Sequence, residues 1–91
     1  MLETSIYEKV TDYCAARERC ATEVLSKLYR LKAADPNAYI IKLKQEDFLN
    51  EERFTKAFVE AYSRRKWGKM KIKAALIRKR IDTALIKKYL D

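Results

Sequence analysis

The sequence predicts an all-α protein of six helices, organised as two tandem three-helix repeats in an elongated, curved arrangement. The first observation is composition: the 91 residues are 48% hydrophobic and 37% charged, with one Gly and one Pro. Sheets and their tight turns normally use more Gly, Pro and Asn, so this composition favours helices. The second is periodicity, because apolar residues recur at spacings of three and four along most of the chain. The third is that the two halves carry the same pattern.

Three helices are predicted in the first half, each from a start signal followed by apolar periodicity. Ser5 and Glu8 have the spacing of a capping box, which opens the first helix. The second helix begins at Cys20, although cysteine is a weak substitute for serine as a cap. Asp35 caps the third helix, because Pro36 suits the first helical position. The predicted inward-facing residues are Ile6, Val10, Tyr13, Cys14, Ala21, Val24, Leu25, Leu28, Leu31, Tyr39, Ile40 and Leu43.

Three further helices are predicted in the second half. Asn50 is the expected N-cap of the fourth helix, whose apolar spacing is the clearest in the chain. Gly68 separates the fourth helix from the fifth, and Asp82 caps the sixth. The predicted inward-facing residues are Phe54, Ala57, Phe58, Ala61, Tyr62, Ile72, Ala75, Leu76, Leu85, Ile86, Tyr89 and Leu90.

The duplication appears when one half is shifted along the other, by 48 positions as far as the second helix and by 46 in the third. It predicts repeat 1 over residues 1–49 and repeat 2 over residues 50–91. Stacked helical repeats usually occur in three or more copies, so we expect a third repeat to be absent or truncated here. The aligned residues are Cys20 with Gly68, Val24 with Ile72, Leu28 with Leu76, Pro36 with Asp82, Tyr39 with Leu85, Ile40 with Ile86, and Leu43 with Tyr89.

Several function classes find no support in the residue types present. The chain has no His, and Cys14 and Cys20 lie too far apart for a common zinc or iron–sulfur spacing, so both are expected to be buried thiols. Without His or a Gly-rich phosphate loop, we expect no enzyme activity, no metal, no cofactor and no small-molecule substrate. No apolar run reaches membrane-spanning length and residues 1–10 do not resemble a signal peptide, which predicts a cytoplasmic protein with no membrane partner.

Positive charge is concentrated in one stretch of the second half. Residues 1–50 hold eight basic and eight acidic residues, whereas residues 51–91 hold thirteen and five. A one-signed amphipathic stretch predicts a polyanion or a strongly acidic protein as partner. Additional candidates for the same contact are Arg17, Arg19, Arg53 and Trp67, although the indole is more often a packing group than a base-stacking one. The predicted contact residues are Arg64, Arg65, Lys66, Lys69, Lys71, Lys73, Arg78, Lys79 and Arg80.

Three stretches resemble motifs of the RecX regulatory proteins, in that family's order and spacing. Residues 17–28 resemble the opening motif, with Cys20 where the family usually has Ser. Residues 48–58 resemble the second motif, which contains the pair Arg53 and Phe54. Residues 66–76 resemble the start of the next helix, which contains Trp67 and Gly68.

This resemblance implies a bacterial modulator of the RecA recombinase that is built of tandem three-helix repeats. Such proteins lie along the groove of the RecA–DNA filament and inhibit strand exchange and ATP hydrolysis. The implied partners are the RecA filament and, with it, single- or double-stranded DNA. The residues themselves leave one alternative open: a small basic module of helix-turn-helix type, which would hold nucleic acid with the fifth helix.

Overall fold

The computed structural model describes residues 2–90, and within this range the chain forms six α-helices and no β-strand. The predicted all-α class and helix number are therefore confirmed. The chain divides into two compact units, the first ending at Asn50 and the second beginning at Glu51. The helices are α1 (Thr4–Ala16), α2 (Ala21–Arg30), α3 (Pro36–Gln45), α4 (Glu51–Arg64), α5 (Lys69–Arg78) and α6 (Thr83–Leu90).

The first unit is organised around one apolar core to which α1, α2 and α3 each contribute a stripe. Both cysteines are buried free thiols, as predicted, and burial raises the pKa of the Cys14 thiol, which keeps it neutral. Each fully buried aliphatic side chain stabilises the fold by about 1.5–3 kcal/mol relative to exposure. The buried core residues are Ile6, Val10, Cys14, Val24, Leu28, Tyr39, Ile40, Leu43 and Leu49.

The start of α1 differs from the prediction. The capping box at Ser5 is wrong: α1 begins at Thr4, and Glu3 is its N-cap. The Glu3 carbonyl accepts a hydrogen bond from the Tyr7 amide at 2.9 Å, and the Glu3 amide donates to the Tyr39 hydroxyl at 2.8 Å. A contact from α3 therefore satisfies the amide of the N-cap residue, and the Glu3 side chain makes no capping hydrogen bond.

The other two helix starts of the first unit are confirmed. Cys20 is the N-cap of α2, and its amide donates to the Glu23 carboxylate at 3.2 Å, which completes a capping box with sulfur in place of a hydroxyl. Asp35 is the N-cap of α3 and Pro36 is its first residue. Proline costs nothing at that position because its missing N–H has no helical acceptor.

The second unit buries residues from all three of its helices. On α4 these include Thr55, which is fully buried and donates from its hydroxyl to the Glu51 carbonyl at 2.7 Å. That bond satisfies a polar side chain that is buried at a position where the apolar pattern did not predict burial. The buried residues of the second unit are Phe54, Thr55, Ile72, Ala75, Leu76, Ile81, Ile86 and Leu90.

An aromatic row runs from α4 towards α5. The rings of Phe54, Phe58, Tyr62 and Trp67 follow one another with centroid separations of 5.6, 4.4 and 4.3 Å. Only Phe54 is fully buried, and the other three rings are partly exposed. The predicted inward position of Ala57 is wrong, because this residue is exposed. Helix α4 therefore buries its side chains near its N-terminal end and fewer of them towards its C-terminal end.

The alignment predicted for the third helix of each repeat is wrong by one position. Asp35 and Asp82 both precede a helix, so the offset that equates them is 47. Asp82 accepts a hydrogen bond from the Ala84 amide at 2.9 Å, which confirms it as the cap of α6. With this offset the buried Tyr39 falls on the buried Ile86. Helix starts therefore define the correspondence better than the apolar runs do.

Glu52 links the first and last helices of the second unit. Its Oε2 atom accepts hydrogen bonds from Lys88 Nζ at 2.5 Å and from the Tyr89 hydroxyl at 2.6 Å. The bonds from Lys88 and then Tyr89 lower the pKa of the Glu52 carboxyl below its usual value, and the same contacts raise the pKa values of Lys88 and Tyr89. In the first unit the Tyr7 hydroxyl similarly donates to the Glu46 carboxylate, linking α1 to the end of α3.

We expect Glu52→Gln to destabilise the chain at neutral pH and to lose this effect in acid. A carboxyl whose folded-state pKa is lowered stabilises the fold above its unfolded-state pKa, and that contribution disappears as pH falls through the folded value. Urea denaturation at about pH 7 should therefore give a lower midpoint for Glu52→Gln than for the unchanged chain, and the two should converge near about pH 3.

Glu60→Gln is the matched control, because Glu60 lies exposed on the same helix and makes no ion pair within residues 2–90. It changes the net charge equally and should leave the midpoint unchanged. If the urea midpoint of Glu52→Gln is lower by the same amount at both pH values, the Glu52 side chain stabilises the fold by its shape and not by its charge.

Candidate functional site

Helix α5 is placed with one face in the core and the other in solvent. Ile72, Ala75 and Leu76 are buried, and their spacing of three and four defines the inner face. All other residues from Lys69 to Arg78 are exposed. Helical geometry puts Lys69 and Lys73 on one flank of the exposed face and Lys71 and Arg78 on the other.

The remaining predicted cations lie in the segments before and after α5. Arg64 is the last residue of α4, Arg65 and Lys66 follow it, and Arg80 lies between α5 and α6. These four are exposed, whereas Lys79 is partly buried and interacts within the chain. Eight of the nine predicted contact residues are therefore accessible to a partner. We name them the basic surface: Arg64, Arg65, Lys66, Lys69, Lys71, Lys73, Arg78 and Arg80.

The basic surface has no internal counter-charge. None of its eight side chains forms an ion pair with a carboxylate among residues 2–90. Two of them instead lie over aromatic rings, Lys71 Nζ at 4.1 Å from the Trp67 centroid and the Arg65 guanidinium at 5.1 Å from that of Tyr62. Like charges on one helix face destabilise it by a few tenths of a kcal/mol per pair. An anionic partner would remove that repulsion.

The additional candidates have roles of different kinds. Trp67 packs on Tyr62, the role that the sequence favoured for it. In the first unit, the Arg19 guanidinium lies 3.7 Å from the Tyr13 ring centroid, and its Nε donates to the Tyr13 carbonyl at 2.9 Å. Arg19 therefore helps to end α1. Arg17 is exposed, and Arg53 is partly buried with an interaction of its own in the chain.

Sequence reasoning missed a basic residue that packing brings to this surface. Lys87 of α6 and Lys73 of α5 line one pocket of about 220 Å³, together with Thr83 and Ile86. Lys87 lies outside the run of basic residues, so only the contact between α5 and α6 reveals its proximity. A pocket lined by two lysines and a threonine is a suitable environment for an anionic oxygen.

Gly68 lies between α4 and α5, as predicted, and is the N-cap of α5. Its φ angle is −68°, and no atom lies within 4 Å of the position that a Cβ would occupy, so neither backbone nor space requires glycine. The left-handed residue after α4 is Lys66, with φ 66°, and Arg80 has the same conformation after α5 with φ 59°. Trp67 and Ile81, which follow them, donate backbone hydrogen bonds to Tyr62 and to Leu76, as in Schellman motifs.

The residue types at these two left-handed positions are not the most stable ones. A side chain in this conformation costs about 1–2 kcal/mol, which is why glycine usually occupies it. A cation near a helix C-terminus regains only about 0.3–1 kcal/mol at an exposed site. The side chains of Lys66 and Arg80 make no hydrogen bond, ion pair or ring contact within residues 2–90. Lys32 and Asp47 have the same conformation after α2 and α3, so the conformation belongs to the helix ends, and only the choice of a basic residue at Lys66 and Arg80 is left for binding to explain.

All of this surface lies in residues 50–90, which match the family model described as RecX, second three-helix domain. By this match, residues 50–90 are a RecX-family three-helix domain. The RecX domain comprises α4, α5 and α6, and the family model is described as the second three-helix domain. The assignment of residues 1–49 to a first RecX repeat stays a prediction. No curated protein and no solved structure matches the chain.

No helix within residues 2–90 combines the length and the apolar character that crossing a membrane requires. The same residues bring together no group of three or more His, Cys, Asp or Glu side chains that could hold a metal ion.

Proposed function

We propose that this chain binds the RecA–DNA filament and modulates the recombinase, lowering strand exchange and ATP hydrolysis. The observation that carries the proposal is that the RecX domain presents eight exposed basic side chains without internal counter-charge. A filament of protein and DNA is a long anionic ligand, and unpaired cations on a folded helix bind such a ligand without first breaking ion pairs. In this proposal the chain works in the bacterial cytoplasm, by binding alone and without catalysis.

The proposed contact residues are those of the basic surface, with Lys79 at its edge. The proposed contact residues on α5 are Lys69, Lys71, Lys73 and Arg78. The others are Arg64 at the end of α4, and Arg65, Lys66 and Arg80 on the connections before and after α5. Arginine suits bidentate contact with carboxylate or phosphate, whereas lysine supplies a point charge. Arg17 and Arg53 are basic and therefore also candidates. They are secondary ones, since neither belongs to the basic surface.

A second candidate is a nucleic-acid-binding module that uses α5 and does not recognise RecA. The same exposed cations favour it, since phosphate groups are satisfied by any accessible positive surface. The two functions differ in what salt does to the complex. Contacts to phosphate release counterions, so their affinity falls steeply as salt rises. Contacts to protein keep a part of the binding affinity that salt does not remove.

The deciding experiment is a salt series with three probes: a single strand, a duplex, and a RecA filament on the single strand. For six or more phosphate contacts, naked-DNA affinity should fall roughly a thousand-fold or more between about 50 and 200 mM salt. We expect filament binding to persist at salt concentrations that remove naked-DNA binding, and RecA ATP hydrolysis to fall with occupancy. Equal losses on all three probes would favour the nucleic-acid module.

A further inference from the structure

Helix α5 exposes an apolar stripe in the middle of its basic surroundings. Met70 is 78% exposed and Ile77 is 52% exposed, and the exposed Ala74 lies between them. Residues at i, i+4 and i+7 share one helix face, and this face is opposite the buried Ile72 and Leu76. Two large apolar side chains on one short helix therefore project away from the core of the unit.

The stripe is bordered by cations on both sides. Lys69 and Lys73 follow one flank, and Lys71 and Arg78 follow the other. None of the four forms an ion pair within residues 2–90. We name this combination the α5 outer face: Met70, Ala74 and Ile77 as an apolar centre with a rim of Lys69, Lys71, Lys73 and Arg78.

We infer that the α5 outer face docks on a protein, in an apolar depression bordered by carboxylates. An apolar centre with a charged rim is the usual anatomy of a protein–protein contact. The rim selects an acidic border by charge complementarity, and the centre supplies apolar area to bury. This inference rests on the proposed function and deepens it: the α5 outer face contacts the protein of the filament, and the cations at the two ends of α5 contact the DNA.

Other occupants fit the α5 outer face less well. DNA phosphates satisfy the four cations but offer nothing apolar to Met70 and Ile77. A second copy of this chain would bring four cations against four, which repel. A membrane-bound amphipathic helix inserts a broad apolar face, but the broad apolar face of α5, which contains Ile72 and Leu76, is buried in the unit.

The test compares polar substitutions at the centre with neutral substitutions at the rim. Met70→Gln/Ile77→Gln keeps the charge and the helix propensity, and it should weaken binding to a RecA filament at least tenfold, from the apolar area that no longer becomes buried. Naked-DNA binding by this variant should be unchanged. Lys69→Gln/Lys73→Gln should weaken filament binding as well. The affinity that remains should be less sensitive to salt, because a larger share of it comes from the apolar contact.

Ile41→Gln is the matched control, because Ile41 is 57% exposed, much like Ile77, but lies on α3. It should bind the filament like the unchanged chain, and circular dichroism should be the same for all variants. If Met70→Gln/Ile77→Gln binds the filament normally, or loses naked-DNA binding equally, the inference is overturned. It is also overturned if the unchanged chain binds phosphatidylcholine–phosphatidylglycerol vesicles and this variant does not. If the unchanged chain binds no filament at all, the proposed function fails and this inference with it.

Discussion

Reversing three charges on α5, with Lys69→Glu, Lys73→Glu and Arg78→Glu, is expected to abolish binding to the RecA filament. Each substitution replaces attraction to an anionic ligand with repulsion, and together they should lower affinity by roughly a hundredfold or more. The fold should survive, because the three side chains are exposed and make no ion pair within residues 2–90. Glutamate is also a good helix former. Filament binding at constant salt and the helical circular dichroism measure the two outcomes.

The control for this variant carries the same change in net charge in the first unit. Lys9→Glu, Arg30→Glu and Lys44→Glu alter exposed residues outside the basic surface. A moderate loss of association rate is expected there, since total charge steers diffusion. If the control loses as much affinity as the α5 variant, binding depends on overall charge, and the assignment of a specific surface is wrong.

The second prediction separates stability from binding. Lys66→Gly and Arg80→Gly should each raise the free energy of unfolding by about 1 kcal/mol, because glycine adopts the left-handed conformation without the strain of a side chain. The double variant should nevertheless bind the filament about tenfold more weakly, since it loses two exposed cations. Urea denaturation and filament titration on the same preparations measure both quantities.

Lys32→Gly provides the comparison, because Lys32 has φ 60° after α2 and lies in the first unit. It should gain similar stability and keep its filament affinity. If Lys66→Gly/Arg80→Gly binds as well as the unchanged chain, the strain at these positions has no connection with binding. If it is less stable, the helix-end contribution of the two charges is larger than the backbone strain.

Local chemistry made several helix starts predictable. Cys20 and Asp82 mark helix starts where residues within a few positions pair with free amides, and at the start of α3 Pro36 has no amide N–H to satisfy, so local sequence context is sufficient. The start of α1 was mispredicted because the Glu3 amide pairs with Tyr39, a residue 36 positions away. Local patterns contain no information about that bond.

The candidate surface was partly predictable for a similar reason. Charge is a property of composition, so the basic run could be counted directly, and helical periodicity assigned Ile72 and Leu76 inward. The position of Lys87 beside Lys73 depends on the packing of α6 on α5, which no local signal specifies. The exposure of Met70 follows from the same helical periodicity, because Met70 lies on the helix face opposite the buried Ile72.

Trp67 gives the second unit an intrinsic fluorescent probe. It is the only tryptophan in the chain, its ring lies 4.3 Å from that of Tyr62, and the Lys71 ammonium group lies 4.1 Å from its centroid. Indole emission responds to nearby charge and to solvent access, and a partner that draws Lys71 away changes both. Intrinsic fluorescence can therefore follow occupancy at this place in real time, without a dye and without altering any side chain.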